Sequence, residues 1–322
     1  MNFPSGKLFV LALAVALLAG CGHRERVLES DYVSAPQVVL RDKLAPVFNQ
    51  AGTAQNGDRV DVLDRDRRFA RVRTASGAEG WVEQRYLVTQ QVFDGFQKLK
   101  LQEQNSPVEG IATTRNDTNL HVEPGRDTEH LYQLPLGAKV SVLRRETVEK
   151  NLPGVVSRPP IGAKVSSSAK DMKTPMEDWW LVRDPQAHVG WVLGRLIDLD
   201  VPLEIAQYAE GQRIVAYFVL NEVNDGDKKV AQYLTLTSEA KDGLAFDYSQ
   251  ARVFTWNVKR HRYETAYREH GLNGVLPVTV SHEVFGKEGD LPVFVLRVKD
   301  AGGNVVERKY KMNTPMVRRV GN

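Results

Sequence analysis

Alternation of apolar and polar residues dominates the chain between residues 33 and 88. Arg59-Val60-Asp61-Val62-Leu63 and Phe69-Ala70-Arg71-Val72-Arg73 each place apolar side chains on one face, which is the pattern of a half-buried strand. Gly, Asn and Asp separate such runs, and the last run ends at Gly80-Trp81-Val82. Several short strands in so few residues predict a small β-barrel.

The same apolar skeleton returns within residues 108–201, which predicts a second barrel. Residues of the first barrel have counterparts 80 positions later in the part of the second copy that ends at Leu143, and 110 positions later from Trp179 on. The second copy therefore has 30 additional residues. Such self-similarity indicates a structural repeat. The matched pairs include Leu40 and Leu120, Val60 and Val140, Phe69 and Trp179, and Trp81 and Trp191.

The additional residues lie between Leu143 and Trp179, where the predicted insertion, 150–178, is rich in Pro, Gly, Ser and Lys. This composition buries little apolar surface, so we expect a disordered loop at a hairpin tip. A flap over a ligand surface is the alternative interpretation.

Two segments between the β-rich regions have helical patterns. The apolar stripe of residues 92–99 predicts a connecting helix within residues 89–107. Residues 202–211 begin with a proline and end with a glycine, which predicts a second, short helix.

The C-terminal part, residues 212–322, is again rich in β patterns but lacks the repeat. Short apolar runs alternate with turn signals, so we expect an antiparallel sandwich or barrel. The chain is therefore predicted to be mainly β, with two small barrels, each followed by a short helix, and a C-terminal β domain. The predicted C-terminal strands are 214–221, 230–237, 244–247, 251–258, 263–269, 276–281, 292–298 and 305–311.

The N-terminus has the pattern of an export signal. Lys7 precedes the apolar run 8–18, which is too short to span a bilayer comfortably. The run ends in Leu18-Ala19-Gly20-Cys21, which resembles the processing box of bacterial lipoproteins. The resemblance implies that residues 1–20 are a signal peptide and that Cys21 is acylated.

Acylated Cys21 would attach the mature chain to a membrane of the cell envelope, facing the periplasm or the exterior. The polar, aperiodic residues 21–32 are expected to be a tether between this anchor and the first barrel.

The residue order in the first barrel resembles that of the bacterial SH3-like domain (SH3b). The features that carry the resemblance are Arg41-Asp42, Gly57, Phe69, Gly80-Trp81-Val82 and Tyr86-Leu87. The pair Arg41-Asp42 departs slightly from the commoner Arg-Ser or Arg-Ala. Modules of this family commonly bind peptidoglycan peptides or protein segments, and the resemblance implies the same here.

Charge and missing motifs narrow the possible functions. The chain has 43 Lys+Arg against 40 Asp+Glu, and a net charge of only +3 argues against a dedicated nucleic-acid binder. Cys21 is the only cysteine, which excludes disulfides and a catalytic thiol in the mature domains. His261, His270 and His282 lack metal-ligand spacing, so we expect no metal, no cofactor and no catalytic residue.

Aromatic residues are the candidate ligand-binding groups. We expect Trp81 and Trp191 to be structural residues that fill the two barrels. Trp179 and Trp180 are strand neighbours that point to opposite faces, so one of them should lie under the long loop or on the surface. The candidates for stacking on a ligand are Phe69, Tyr86, Trp179 and Trp180.

The sequence predicts a non-catalytic, lipid-anchored protein that uses tandem SH3-like modules to bind peptidoglycan or envelope proteins. One alternative is an adaptor or scaffold subunit of an envelope complex, and another is a cell-wall hydrolase with its activity in the C-terminal domain. Basic residues within 259–268 and 308–319 form either a surface for an anionic polymer or lipid, or solvated faces. No pattern fixes the oligomeric state.

Overall fold

A computed structural model describes residues 26–150 and 175–321. Within them the chain is mainly β, with three antiparallel sheets of seven strands each and few helices, as the sequence predicts. The chain divides into two compact units, one ending at Gln90 and the next beginning at Gln91. The predicted signal peptide, Cys21 and residues 151–174 of the insertion lie outside the described residues. Among the described helices, none is long and apolar enough to cross a membrane.

The first sheet lies in the first unit and begins earlier than predicted. The predicted tether is wrong in its last residues, because Asp31 and Tyr32 are buried in a strand that begins at Glu29 and pairs with two others. The strands are β1 (Glu29–Val33), β2 (Gln37–Arg41), β3 (Gln50–Gln55), β4 (Arg59–Asp66), β5 (Phe69–Thr74), β6 (Glu79–Glu83) and β7 (Leu87–Thr89), in the spatial order β3-β2-β6-β5-β4-β1-β7. A 3-10 turn, Gln84–Tyr86, joins the last two.

One core holds the first sheet together, so the sheet is rolled into a barrel. Six of its strands supply the core side chains, which are Val33, Val38, Leu40, Ala54, Val60, Val62, Ala70, Val72 and Val82. Gly80 allows β6 to cross β2 closely, because a Cβ there would lie 2.8 Å from Leu40 Cβ and 2.9 Å from the Arg41 carbonyl oxygen. This crossing places the ends of β2 and β6 side by side.

The second sheet, in the second unit, has the same strand order as the first. The helix α1 (Gln90–Gln102) precedes it. Its strands are β8 (Gly110–Thr114), β9 (Thr118–His121), β10 (His130–Leu134), β11 (Lys139–Glu149), β12 (Met176–Arg183), β13 (Val189–Leu193) and β14 (Ile197–Leu199), in the order β10-β9-β13-β12-β11-β8-β14. Gly190 lies as close to Leu120 and His121 as Gly80 does to Leu40 and Arg41.

The helix α1 follows the first barrel in sequence but packs on the second. Phe96 makes an edge-to-face contact with Tyr132, with ring centroids 5.3 Å apart. Leu99 joins a buried cluster with Trp179 and Trp191. The helix therefore covers the outer face of the second barrel.

The third sheet follows α2 (Leu203–Ala206), a single helical turn that is shorter than the predicted 202–211. Its strands are β15 (Arg213–Asp225), β16 (Lys228–Ser238), β17 (Tyr248–Asn257), β18 (Arg262–Val284), β19 (Asp290–Lys299), β20 (Val305–Asn313) and β21 (Met316–Val320). They pair in sequence order, and the long strand β18 pairs with β17 up to Gly274 and with β19 from there on.

Three details of the third sheet differ from the prediction. The runs 263–269 and 276–281 belong to the single strand β18, and β21 was not predicted. The run 244–247 is not a strand, because its backbone is held by the second barrel. Arg145 of β11 donates hydrogen bonds to the carbonyl oxygens of Leu244, at 2.9 Å, and Phe246, at 2.5 Å.

Buried charges join the second barrel to the third sheet. The Arg145 guanidinium lies 2.9 Å from carboxylate oxygens of both Asp178 and Asp247, and its side chain is 7% exposed. Asp178 also accepts hydrogen bonds from Thr147 and from the amide of Gly243. Buried charges need such partners, so this network fixes how the two sheets of the second unit pack.

A candidate ligand-binding groove

A groove of about 420 Å³ runs along the first barrel where β2, the loop 42–49 and the end of β6 meet. This volume is in the range of small-ligand sites. The close crossing at Gly80 brings its two walls together. Its lining residues are Ala35, Pro36, Gln37, Val38, Val39, Arg41, Phe48, Val82, Glu83 and Tyr86.

Arg41 organises one side of the groove by lying between two aromatic rings. Its guanidinium carbon is 4.5 Å from the ring centroid of Phe48 and 5.2 Å from that of Phe69. Phe48 is 36% exposed, so one face of its ring remains open to a ligand. The exposed part of the Phe48 ring, held against this guanidinium, suits stacking on a peptide or a sugar.

Glu83 connects this side of the groove to the other. Its carboxylate lies 3.6 Å from Arg41 and 2.9 Å from Arg85. Arg85 in turn lies 4.7 Å from the ring centroid of Tyr86 and donates a 2.7 Å hydrogen bond to the Tyr86 hydroxyl. The groove thus presents two aromatic rings, the cation Arg41 and the anion Glu83, and Arg85 lies beside Glu83 outside the lining.

The loop that carries Phe48 is held in place before any ligand arrives. The backbone N–H of Asn49 donates a 2.8 Å hydrogen bond to one carboxylate oxygen of Asp42, and the Asn49 side-chain amide donates at 3.0 Å to the other. These bonds hold the pKa of Asp42 below its usual range, the backbone amide being the largest cause. A fixed loop loses less entropy on binding than a mobile one.

The corresponding positions of the second barrel are filled. By the offsets of the repeat, Arg41 corresponds to His121, Phe48 to Thr128, Glu83 to Leu193 and Tyr86 to Leu196. Leu193 is buried, and Leu196 packs against the cluster that contains Leu99 of α1. An open groove of the same kind is therefore confined to the first barrel within the described residues.

His121 shows how the second barrel closes this place. Its ring lies 5.1 Å from that of Trp179 and 5.5 Å from that of His130. Its Nδ1 is 3.0 Å from the Thr128 hydroxyl. Burial, and then the neighbouring His130, lower the pKa of His121 to about 4, so the ring is neutral near pH 7.

The structure places Trp81 and Trp191 differently from the prediction. Strand alternation directs Val82 and Val192 into the barrels, so both tryptophans lie on outer faces. Trp191 is 3% exposed beneath Leu99, whereas Trp81 is half-buried. Neither of them fills a barrel.

The expectation that Trp179 or Trp180 would lie on the surface is wrong, and the alternative, a position under the long loop, involves residues 151–174, which lie outside the described residues. The two side chains do point to opposite faces, but they are only 2% and 8% exposed. Trp179 lies on the outer face, in the cluster with α1, whereas Trp180 lies on the inner face, opposite Val192, where it lines a cavity next to the third sheet. Of the four predicted stacking residues, Tyr86 lines the groove and Phe69 supports Arg41 at its edge.

The basic clusters of the third sheet are mostly neutralised. In the described part of the chain, acidic side chains pair with six of these residues, and no group of three or more His, Cys, Asp or Glu could hold a metal ion. The pairs are Arg260 and Arg262 with Glu264, Arg268 with Glu210, Arg308 with Glu269, Lys309 with Glu283, and Lys311 with Glu288. The interpretation as solvated, ion-paired faces fits this arrangement.

Sequence reasoning missed Phe48 and Glu83. Both differ in kind from their counterparts Thr128 and Leu193, so a search for repeated residues passes over them. A search for residues that differ between the two copies, at positions next to a shared motif, could have found them.

Comparison with known proteins assigns a class to part of the first barrel. Residues 45–88 match the family model described as the bacterial SH3 domain. That range includes Phe48, Glu83 and Tyr86. No curated protein matches the chain.

Matches among solved structures have low structural similarity. NlpC2 from Trichomonas vaginalis is 11% identical over 92% of this chain and 96% of its own, with a TM-score of 0.18. An NlpC/P60 family protein from Bacillus cereus is 11% identical over 89% and 95%, with a TM-score of 0.23. NlpC1 from Trichomonas vaginalis is 10% identical over 92% of each, with a TM-score of 0.18. At these TM-scores the likenesses carry no conclusion about fold or activity.

Proposed function

We propose that this chain is a non-catalytic binding protein of the cell envelope, anchored through a lipid on Cys21, whose first barrel binds peptide segments of peptidoglycan or of envelope proteins. The observation that carries the proposal is the open groove of Arg41, Phe48, Glu83 and Tyr86, most of which lies in the bacterial SH3 match. Its mixed charges and aromatic rings suit a short polar peptide.

We also infer that residues 108–201 are a second SH3-like module with a supporting rather than a binding role. The identical strand order of the two sheets supports the relationship. The filled positions at His121 and Leu193, and the cover provided by α1, support the change of role.

The test is co-sedimentation of the mature full chain with purified cell-wall sacculi. We expect the wild type to pellet and Phe48→Ala to bind about tenfold more weakly, because an exposed aromatic anchor in a binding groove typically contributes one to two kcal/mol or more. Val284→Ala is the matched control, because Val284 is 76% exposed on the third sheet, outside the groove.

Three outcomes would contradict parts of this proposal. Equal pelleting of the wild type and Phe48→Ala would remove the groove as the binding surface. Release of soluble muropeptides would contradict a non-catalytic role. A crosslinked protein partner that remains after digestion of the wall, with no pelleting, would favour an adaptor.

A further inference from the structure

A second cavity, also of about 420 Å³, lies in the second unit between the second barrel and β15, the first strand of the third sheet. Its walls come from β8, β12, the 3-10 turn Gly194–Leu196, β14 and the start of β15. The proposed function does not use this cavity.

One cation in the lining has no counter-ion among the residues that the structure describes. Arg115 is paired with Asp198 through both carboxylate oxygens, one at 2.6 Å. Arg213 lies 3.2 Å from Asp242. Arg195 is exposed at the cavity and forms no ion pair among residues 26–150 and 175–321. The lining therefore offers one uncompensated positive charge.

A hydrogen-bond donor and apolar walls accompany this charge. The Trp180 side chain lines the cavity, and its indole N–H forms no hydrogen bond within the described part of the chain. Gly194 leaves the N–H edge of the Trp180 indole uncovered, because a Cβ at position 194 would lie 3.4 Å from Trp180 Nε1. The remaining lining is largely aliphatic and includes Val142, Ile197, Leu199, Val201, Ile214 and Val215.

We propose that this cavity binds the terminal carboxylate of a short peptide that carries small apolar side chains. A carboxylate brings one negative charge and two acceptor oxygens, which match the single free guanidinium of Arg195 and the indole N–H of Trp180. A phosphate monoester carries more charge than one guanidinium neutralises. The aliphatic walls would hold the side chains next to the carboxylate.

The test follows the Trp180 indole N–H by nuclear magnetic resonance, with the signal assigned through Trp180→Phe. The mature full chain is titrated with N-acetyl-alanyl-alanine and, separately, with the same dipeptide as its C-terminal amide. We expect a saturable shift with the acid only. Arg195→Ala should weaken binding about tenfold or more, since a charge-assisted hydrogen bond is lost.

Arg85→Ala is the matched control, because Arg85 occupies the equivalent position of the first barrel. It should leave the titration unchanged while affecting the groove, so this proposal and the groove proposal can fail separately. Equal shifts with acid and amide, no saturable shift, or unchanged binding in Arg195→Ala would overturn the proposal. So would a shift of equal affinity with inorganic phosphate, which would identify a general anion site.

Discussion

At the scale of single residues, Glu109 is a carboxyl group buried at the start of the second barrel. Glu109 is 1% exposed, and neither of its carboxyl oxygens makes a hydrogen bond of normal geometry within the described residues. Burial raises the pKa of Glu109 to about 8, and the charge of Asp247 adds to this, while the Val278 amide and Arg297 act in the opposite direction. The group therefore keeps its proton near neutral pH.

Because the folded protein retains this proton, we expect its free energy of unfolding to depend on pH. An unfolded glutamate loses its proton near pH 4.5, whereas the folded protein keeps it up to about 8. The free energy of unfolding should therefore fall as pH rises across this window, because the unfolded state binds fewer protons there. Glutamine has no proton to lose, so Glu109→Gln lacks this pH-dependent fall. The free energy of unfolding of Glu109→Gln minus that of the wild type should therefore increase by about 2–5 kcal/mol between about pH 5 and pH 9.

Urea unfolding at the two pH values measures the effect. Glu129→Gln, at an exposed position, is the control and should track the wild type. A Glu109→Gln difference that does not change with pH would contradict a neutral buried carboxyl group.

At the scale of elements, α1 determines the outer surface of the second barrel. Positions that carry Arg71, Glu79 and Glu83 in the first barrel carry Leu181, Val189 and Leu193 in the second, and these three belong to the cluster that contains Leu99. The change from charged to apolar side chains creates the surface on which the helix packs.

The two leucines of α1 give a paired test of this packing. Leu99 is 8% exposed in the cluster, and Leu101 of the same helix is 71% exposed. Leu99→Ala should lower the free energy of unfolding of the second unit by about 2–4 kcal/mol, because it leaves a cavity next to Trp191. Leu101→Ala should change it by less than about 0.5 kcal/mol. Denaturant unfolding followed by tryptophan fluorescence compares them, and equal losses would contradict the packing of α1.

Periodicity predicted the elements far better than their partners. The alternation around Val60 and Val72 gave strands that the structure contains, and the apolar stripe at residues 92–99 gave a helix. A stripe reports that a face is buried but not what covers it, so the contact of α1 with the second barrel could not be predicted. The same limit applies to Trp179 and Trp180. Strand alternation predicts that they point to opposite faces, but it does not predict which elements bury each of them.

At the scale of the whole molecule, the proposed anchor rests on the sequence, since Cys21 lies outside the described residues. Metabolic labelling with a palmitate analogue should mark the wild-type chain in membranes, because an acylated cysteine carries the label. Cys21→Ala should lose the label, and Cys21→Ser should lose it too. Labelling that persists in either variant would contradict the lipid anchor.

The groove and the cavity both join residues that are far apart in the chain. Arg41 and Glu83 meet because β2 and β6 cross, and Trp180 meets Arg213 because the second barrel packs on the third sheet. Neither set has a spacing that a motif search recognises. The barrels could therefore be predicted from the sequence, and the two surfaces proposed to bind ligands could not.

The packing of α1 also decides where the chain can be cut. A fragment that ended after the helix would leave Trp179, Trp191 and Leu193 uncovered on the remaining piece, and exposed apolar patches of this kind associate nonspecifically. Fragments made to compare the two barrels in binding assays should therefore divide the chain before Gln90. With that division, nonspecific association through an uncovered apolar surface would not be mistaken for specific binding to the cell wall.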